Sequence, residues 1–162
     1  MGSLRLETLI HVPLETCFDL ARSVDVHRMT AAFTGERLVA PGRTTGLLEC
    51  GDQVTFEARH LGLRRRLTAE VVEFDRPRRF VDEMRRGAFR SLRHEHHFAA
   101  VDGGTLMRDH LDWRVPGGPL GLVVDRLIVT PHMRWFLITK QANLKRYAER
   151  DAERSGPHQP TS

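Results

Sequence analysis

The sequence has few cysteines and no long apolar run. Its two cysteines, Cys17 and Cys50, are too few for a disulfide framework, so reduced thiols and a cytoplasmic location are the simplest interpretation. No stretch approaches the roughly 20 apolar residues that cross a bilayer, which argues against a membrane span. The opening residues, MGSLRLETLIHVP, alternate in polarity and contain Arg5 and Glu7, so we do not expect a signal peptide.

Lysine is also scarce, although the chain carries a net charge of +4 and has a pI near 9.8. Lys140 and Lys145 are the only lysines, and every other basic residue is an arginine. The densest cluster, residues 64–66, lies in an alternating segment whose side chains point to both faces. Because no aromatic residues interleave with this charge, the sequence predicts no nucleic-acid partner.

The chain has the length and the apolar content of one domain with a full core. Residues 3–12 alternate as a strand does, Pro13 is suited to open a short helix, and residues 25–32 predict a second one. A meander of strands follows, because turn signals separate alternating segments at residues 54–58, 63–74, 80–84, 89–101 and 106–115.

The last third of the chain is helical in pattern. An apolar stripe of helical spacing runs through residues 120–128 and continues in Trp135 and Phe136, whereas Asp125 and Arg126 are expected to be solvated. Pro131 lies inside this run and predicts a kink or a short break near residues 128–130. Residues 1–150 thus form one domain, and residues 151–162 are expected to be a disordered polar tail.

This element order predicts an α+β fold, in which a curved antiparallel sheet of about seven strands wraps around a long C-terminal helix. Two short helices follow the first strand. Only the C-terminal helix is long enough to cover the concave face of such a sheet, and the two short helices fill one end. We therefore expect a pocket between the sheet and the helix.

The turn Asp102-Gly103 fixes the pairing of the two strands that flank it. A two-residue loop places Val101 opposite Gly104, so paired residue numbers sum to 205. His96 then faces Asp109 among apolar neighbours, at a Cβ separation of about 5 Å. The other inward pairs are Leu92 with Trp113, His94 with Leu111, and Phe98 with Met107.

Four segments are similar to one known superfamily: IHVPLETCFDLA, FVDEMRRGAFRSLRHEHHF, GGTLMRDHLDW and VPGGPLG. Over residues 3–150 the chain resembles the START-like polyketide cyclase/dehydrase and lipid-transport superfamily (SRPBCC), which has the helix-grip fold. Within it, the segments look like a bacterial subgroup labelled cell-division-inhibitor related. The chain departs from that subgroup at Gly87-Ala88, where Gly-Pro is usual, and at Leu92, where an aromatic residue is usual.

The resemblance implies a pocket for a small hydrophobic molecule such as a lipid, a polyketide or an aromatic metabolite. Three roles remain open for His96 and Asp109: a structural pair, an anchor for the polar end of a ligand, and an acid/base pair of a cyclase or dehydratase. Besides ligand binding and catalysis, a third possible function is that of a protein-interaction module, which the fused architecture of members of the subgroup suggests. A shared fold does not choose among these.

The predicted pocket residues come from the inward faces of the strands and of the last helix. They are Phe56, Met84, Leu92, His94, His96, Phe98, Met107, Asp109, Leu111, Trp113, Met133, Trp135 and Phe136. His94, His96 and Asp109 have the composition of a two-histidine, one-carboxylate metal site. Because His-x-His is common in strands and nothing else in the chain supports a metal, we predict neither a metal nor a cofactor.

Overall fold

Alternating segments of the sequence form one antiparallel sheet. The computed structural model describes residues 1–60 and 62–155. Its strands are β1 (Gly2–Ile10), β2 (Arg37–Val39), β3 (Gln53–His60), β4 (Leu63–Asp75), β5 (Arg79–Arg86), β6 (Ser91–Val101) and β7 (Gly104–Arg114). They lie in the order β1-β7-β6-β5-β4-β3-β2, so each strand of the meander pairs with the next and β1 closes the far edge beside β7.

The predicted register of the β6–β7 hairpin is confirmed. Val101 pairs with Gly104, and His96 pairs with Asp109. The same face of β6 buries His94 and His96, and it is continuous with the concave face of the sheet. The two-residue turn therefore determines which side chains enter the interior.

Two short helices follow β1. The first, α1 (Leu14–Ala21), begins directly after Pro13 and buries Cys17 and Phe18. The second, α2 (Val24–Thr30), is capped by Ser23, whose hydroxyl accepts a hydrogen bond from the backbone N–H of Val26. A 3₁₀ turn (Ala32–Thr34) leads from α2 toward β2.

Phe18 joins α1 to the sheet. Its ring makes edge-to-face contacts with Phe74, Phe80 and Phe98, at centroid distances of 5.5, 5.5 and 5.2 Å. Such contacts add to the burial of the rings and favour one packing arrangement. This aromatic cluster closes one end of the space between the sheet and the long helix.

The C-terminal helical region has three parts: α3 (Gly118–Val124), a π turn (Asp125–Val129) and α4 (Thr130–Ser155). The backbone N–H of Thr130 donates to the carbonyl of Asp125, five residues back. The π turn lies directly before Pro131, which can supply no N–H to a regular helix. The irregularity expected near Pro131 therefore takes the form of a π turn in an otherwise continuous helical run.

This geometry corrects two expectations and shows where the apolar stripe of residues 120–128 points. The stripe at residues 120–128 does not face the core, because Leu120 and Leu127 are 72% and 70% exposed. Asp125 is buried instead of solvated. Residues 151–155 belong to α4 and not to a tail, while residues 156–162 of the expected tail lie outside the described residues.

The helix α4 holds the sheet through one face, formed by Leu137, Gln141, Leu144 and Ala148. It packs on β1, α1 and α2. Among the strands, α4 packs mainly on β1, and the interior space lies between its first turns and the concave faces of β3, β4 and β5. The arrangement is a helix-grip fold. No helix among residues 1–60 and 62–155 is long and apolar enough to cross a membrane.

Candidate functional site

A cavity of about 360 Å³ lies between the concave face of the sheet and α4. Its volume is at the lower end of the range for small-molecule sites. Most of its wall is apolar and comes from β3, β4, β5 and the first turns of α4. The apolar wall includes Val54, Phe56, Ala69, Val71, Phe80, Met133 and Phe136.

The structure divides the predicted pocket residues into two groups. Seven of the thirteen line the cavity: Phe56, Leu92, His94, His96, Leu111, Met133 and Phe136. The remaining six lie outside its wall: Met84, Phe98, Met107, Asp109, Trp113 and Trp135.

Packing explains most of the second group. Phe98 and Met107 belong to the aromatic core under α1, and Met84 and Trp113 belong to a separate core cluster near α4. Trp135 is half exposed, and its ring lies edge-to-face with that of Phe33 at a centroid distance of 5.3 Å. Successive helical residues point about 100° apart, so Trp135 and its neighbour Phe136 cannot both face the cavity.

Asp109 lies behind the cavity wall and is fully buried. Its Oδ1 atom is 2.5 Å from Nδ1 of His96 and 3.3 Å from Nε2 of His94. Its Oδ2 atom accepts a hydrogen bond from the side chain of Gln141 in α4, and Gln141 accepts one from Thr8 in β1. The carboxylate is thus contacted by side chains of β6 and α4, and Thr8 of β1 supports it through Gln141.

Gln141 was missed in the sequence, although a signal was present. It lies four residues after Leu137 and three before Leu144, so it interrupts the buried stripe of α4 with a polar side chain. A buried amide in such a stripe needs a partner, and the carboxylate of Asp109 provides one.

Asp82 of β5 completes the polar cluster on the cavity side. It pairs with His94 across the β5–β6 ladder, and its Oδ2 atom lies 3.2 Å from Nε2 of His96. His96 therefore lies between two carboxylates, one behind the wall and one in it. The ring of His94 lies beside that of His96, with centroids 3.9 Å apart.

The charges around His96 decide its protonation. Burial alone would lower the pKa of His96, but the negative charges of Asp109 and Asp82 raise that pKa to about 9. Burial would also raise the pKa of Asp109, yet His96 and His94 hold it well below its usual range. Burial and the neighbouring His96 lower the pKa of His94. At neutral pH the cluster contains a cationic His96 and a neutral His94.

A second polar group lies across the cavity. Nε2 of His27 is 2.8 Å from Oε1 of Glu36, and the ring of His27 stacks on Phe56 at 4.3 Å. Burial and the charge of Lys140 lower the pKa of His27. His27, Glu36 and Lys140 line the cavity and were not predicted, because α2, the start of β2 and α4 come together only in the folded chain.

Asp82, His94 and His96 could in principle hold a metal ion, because one ligand atom from each lies within 4.8 Å of the others. The carboxylate of this set is Asp82, whereas the sequence suggested Asp109. Nε2 of the cationic His96 carries a proton and lies 3.2 Å from Asp82, so a metal at that nitrogen would have to displace the proton. The prediction of no bound metal therefore stays a prediction.

Covalent catalysis finds little support in the cavity. No serine or cysteine of residues 1–60 and 62–155 lines the wall. Burial and the charge of Asp109 raise the pKa of the Cys17 thiol to about 12, so it carries no thiolate at neutral pH. The arrangement can bind an apolar molecule, hold its polar end, and donate a proton from His96.

Comparisons with known proteins support the fold. No protein-family model matches the chain, and no curated protein sequence matches it. Solved structures do match: the protein TTHA0849 from Thermus thermophilus is similar at a TM-score of 0.76 and 18% identity, over 93% of this chain and 99% of that one. Ara h 8.0201 matches at a TM-score of 0.60 and 15% identity, over 91% of this chain and 97% of its own.

The major latex-like protein 151 of Panax ginseng is a further match, with a TM-score of 0.61 and 14% identity, over 91% of this chain and 97% of its own. All three identities are low, so they show a shared fold and no shared activity. The chain has the Bet v1-like helix-grip fold, with seven strands around a long C-terminal helix. This is the type of fold that the resemblance in the sequence predicted.

Proposed function

We propose that the protein binds a small hydrophobic molecule with one polar end, such as a lipid, a polyketide or an aromatic metabolite. The supporting observation is the 360 Å³ cavity, whose mostly apolar wall is interrupted by His94, His96 and Asp82. Burial of apolar ligand surface contributes about 25 cal/mol per Å² before the costs of ordering. The polar cluster orients the oxygen-bearing end of the ligand.

Ala69 offers a direct test. This residue of β4 is buried and lines the cavity, so Ala69→Phe fills the space without adding charge. Ala142→Phe, at an exposed position of α4, is the matched control. Native mass spectrometry of purified protein should detect a guest, and an apolar dye should bind and be displaced by it. Ala69→Phe should lose dye binding while Ala142→Phe keeps it.

A second variant is included in case Ala69→Phe does not fold. Ala88 lies exposed in the cavity rim, so Ala88→Trp narrows the entrance without disturbing the core. Thermal unfolding reports whether each variant is folded. If folded Ala69→Phe and folded Ala88→Trp both bind the dye as the wild type does, the cavity is not the binding site and the proposal fails.

The protonation of His96 favours a second candidate, a cyclase or dehydratase. A pKa of about 9 keeps a proton on His96 at neutral pH, and its Nε2 atom lies on the cavity side next to Asp82. Such a group serves as a general acid when a bound substrate replaces Asp82 as its partner. His96→Gln should then abolish turnover of a candidate substrate in a folded protein; unchanged turnover would contradict this role.

We further propose that the protein works in the cytoplasm. Cys17 and Cys50 are both free thiols, one buried and one exposed, as is usual where glutathione keeps thiols reduced. Labelling of thiols in intact cells and in the lysate tests this. Quantitative labelling of Cys50 without a reductant is expected, and an oxidised Cys50 in cells would contradict it.

A further inference from the structure

The segment between β7 and α4 exposes an unusual amount of apolar surface. Six large apolar side chains of residues 118–129 are each more than a third exposed. They are Leu120, Leu122, Val123, Val124, Leu127 and Ile128. A contiguous exposed set of this kind marks an interaction surface in a folded protein.

This exposure is a consequence of how the segment is anchored. Gly121 packs so tightly on the backbone of Pro116 that a Cβ atom at position 121 would lie 2.3 Å from the carbonyl oxygen of Pro116. One turn later, the buried Asp125 accepts hydrogen bonds from Nε1 of Trp113 at 2.7 Å and from the hydroxyl of Thr130 at 3.2 Å. Gly121 and Asp125 hold one side of the segment against the sheet, so its apolar side chains point outward.

The charge around this surface has one sign. From Val115 to Ala148 the sequence contains one acidic residue, the buried Asp125. Arg126 and Arg134 are exposed, and neither has an ion-pair partner among residues 1–60 and 62–155. By contrast, Arg93 on the outer face of the sheet contacts three glutamates. The free arginines are therefore available to an external anionic partner.

The polarity of the segment favours lipid over protein as that partner. A protein interface carries about one hydrogen bond per 100–200 Å². Within residues 118–129, Arg126 is the only exposed side chain that can form one, because Asp125 is already bound. Exposed leucines and valines flanked by arginines, with the half-exposed Trp135 at the edge, have the composition of a segment that lies in a membrane interface.

We propose that residues 118–129 dock on an anionic lipid surface, with Arg126 and Arg134 at the level of the phosphates. Docking there brings the lipid next to the cavity, because Pro116, Val129 and Met133 border both. The docking does not depend on the ligand proposed above. Ligand binding can be measured in solution without vesicles, so each proposal can fail alone.

The test is flotation of the full chain with vesicles. One set contains phosphatidylcholine alone, and the other contains phosphatidylcholine with phosphatidylglycerol. The wild type should float with the anionic vesicles, and added salt should weaken this binding. Arg126→Gln and Arg134→Gln should each reduce the affinity for the anionic vesicles about fivefold.

Leu127→Glu removes an apolar contact and adds a negative charge, so it should reduce binding to the anionic vesicles at least about tenfold, whereas the neutral Leu120→Gln isolates the apolar contact. Leu120→Gln is a second variant in case Leu127→Glu does not fold. Val101→Glu is the matched control, because Val101 is 40% exposed at the opposite end of the β6–β7 hairpin. Binding by Val101→Glu should equal that of the wild type.

Two kinds of result, from flotation and from light scattering, would overturn the proposal. One is a wild-type protein that does not float with anionic vesicles, or folded Leu127→Glu and Leu120→Gln variants that float as well as the wild type. The other is a wild-type dimer in light scattering that Leu127→Glu converts to a monomer, because the surface would then join two copies of the chain.

Discussion

His96 and Asp109 occupy paired positions of β6 and β7, and Nδ1 of His96 lies 2.5 Å from Oδ1 of Asp109. The opposite ring nitrogen of His96 contacts Asp82. Because the imidazole lies between two carboxylates in a buried site, its cationic form is stabilised by interactions that the unfolded chain lacks. Stability should therefore depend on pH through this residue.

The free energy of unfolding should fall as the pH rises from about 6 to about 9. The pKa of His96 is raised from 6.5 to about 9, so its stabilisation is complete below the unfolded value and is lost as the pH passes the folded one. The expected loss is on the order of 3 kcal/mol. Urea unfolding followed by tryptophan fluorescence at several pH values measures it.

His96→Gln is the control for this dependence, because it removes the titrating group and keeps a hydrogen-bonding side chain. Its unfolding free energy should vary much less over the same pH interval. Cys17 adds a similar slope only at higher pH, since burial raises its pKa to about 12. A wild-type curve parallel to that of His96→Gln below about pH 9 would show that folding does not raise the pKa of His96.

Removal of the Asp109 carboxylate should destabilise the protein more than removal of the Asp82 carboxylate. Asp109→Asn should cost about 3–5 kcal/mol, because it leaves a buried cation without its closest counter-ion and disturbs the bond to Gln141. Asp82→Asn should cost less, because the Asp82 side chain is 22% exposed and water can replace it. Urea unfolding of both variants at neutral pH provides the comparison. Equal losses would contradict the assignment of Asp109 as the main partner.

The sequence determined the β6–β7 pair because a two-residue Asp-Gly turn leaves only one register. Asp82 could not be assigned in the same way, because β5 and β6 are joined by a longer connection that does not fix their pairing. The contact of Asp82 with His96 therefore emerged only from the folded sheet. The same is true of His27 and Glu36, which depend on how α2 and β2 approach the cavity.

The helical region was predicted less accurately for a different reason. A regular helix would place Leu120, Val124, Leu127 and Ile128 on one face, and an apolar face normally points to the core. The π turn inserts an extra residue before α4, so the stripe in residues 118–129 is not continuous with the buried stripe that starts at Leu137. Hydrophobic spacing shows that a stripe exists but not what covers it.

The hydrogen bond from Trp113 to Asp125 anchors this segment, and its contribution to stability can be tested. Trp113→Phe removes the indole N–H and keeps most of the apolar volume, leaving the buried Asp125 with one donor fewer. The expected cost is about 1.5–3 kcal/mol, as for a hydrogen bond to a charged group. Thermal or urea unfolding measures it. Trp135→Phe at the exposed position is the matched control and should change stability little.

The final prediction concerns metal. Asp82, His94 and His96 have ligand atoms within 4.8 Å of one another, but a metal would have to displace the proton that the cationic His96 carries on Nε2, the atom that contacts Asp82. Protein purified without chelators should therefore contain far less than one zinc or iron per chain, and EDTA should not change its thermal unfolding. A stoichiometric metal that Asp82→Asn and His94→Gln both remove, while the control variant Asp112→Asn on the outer face of β7 keeps it, would contradict this. In that case Asp109 would orient His96 through Nδ1, and the cavity would face an open coordination position.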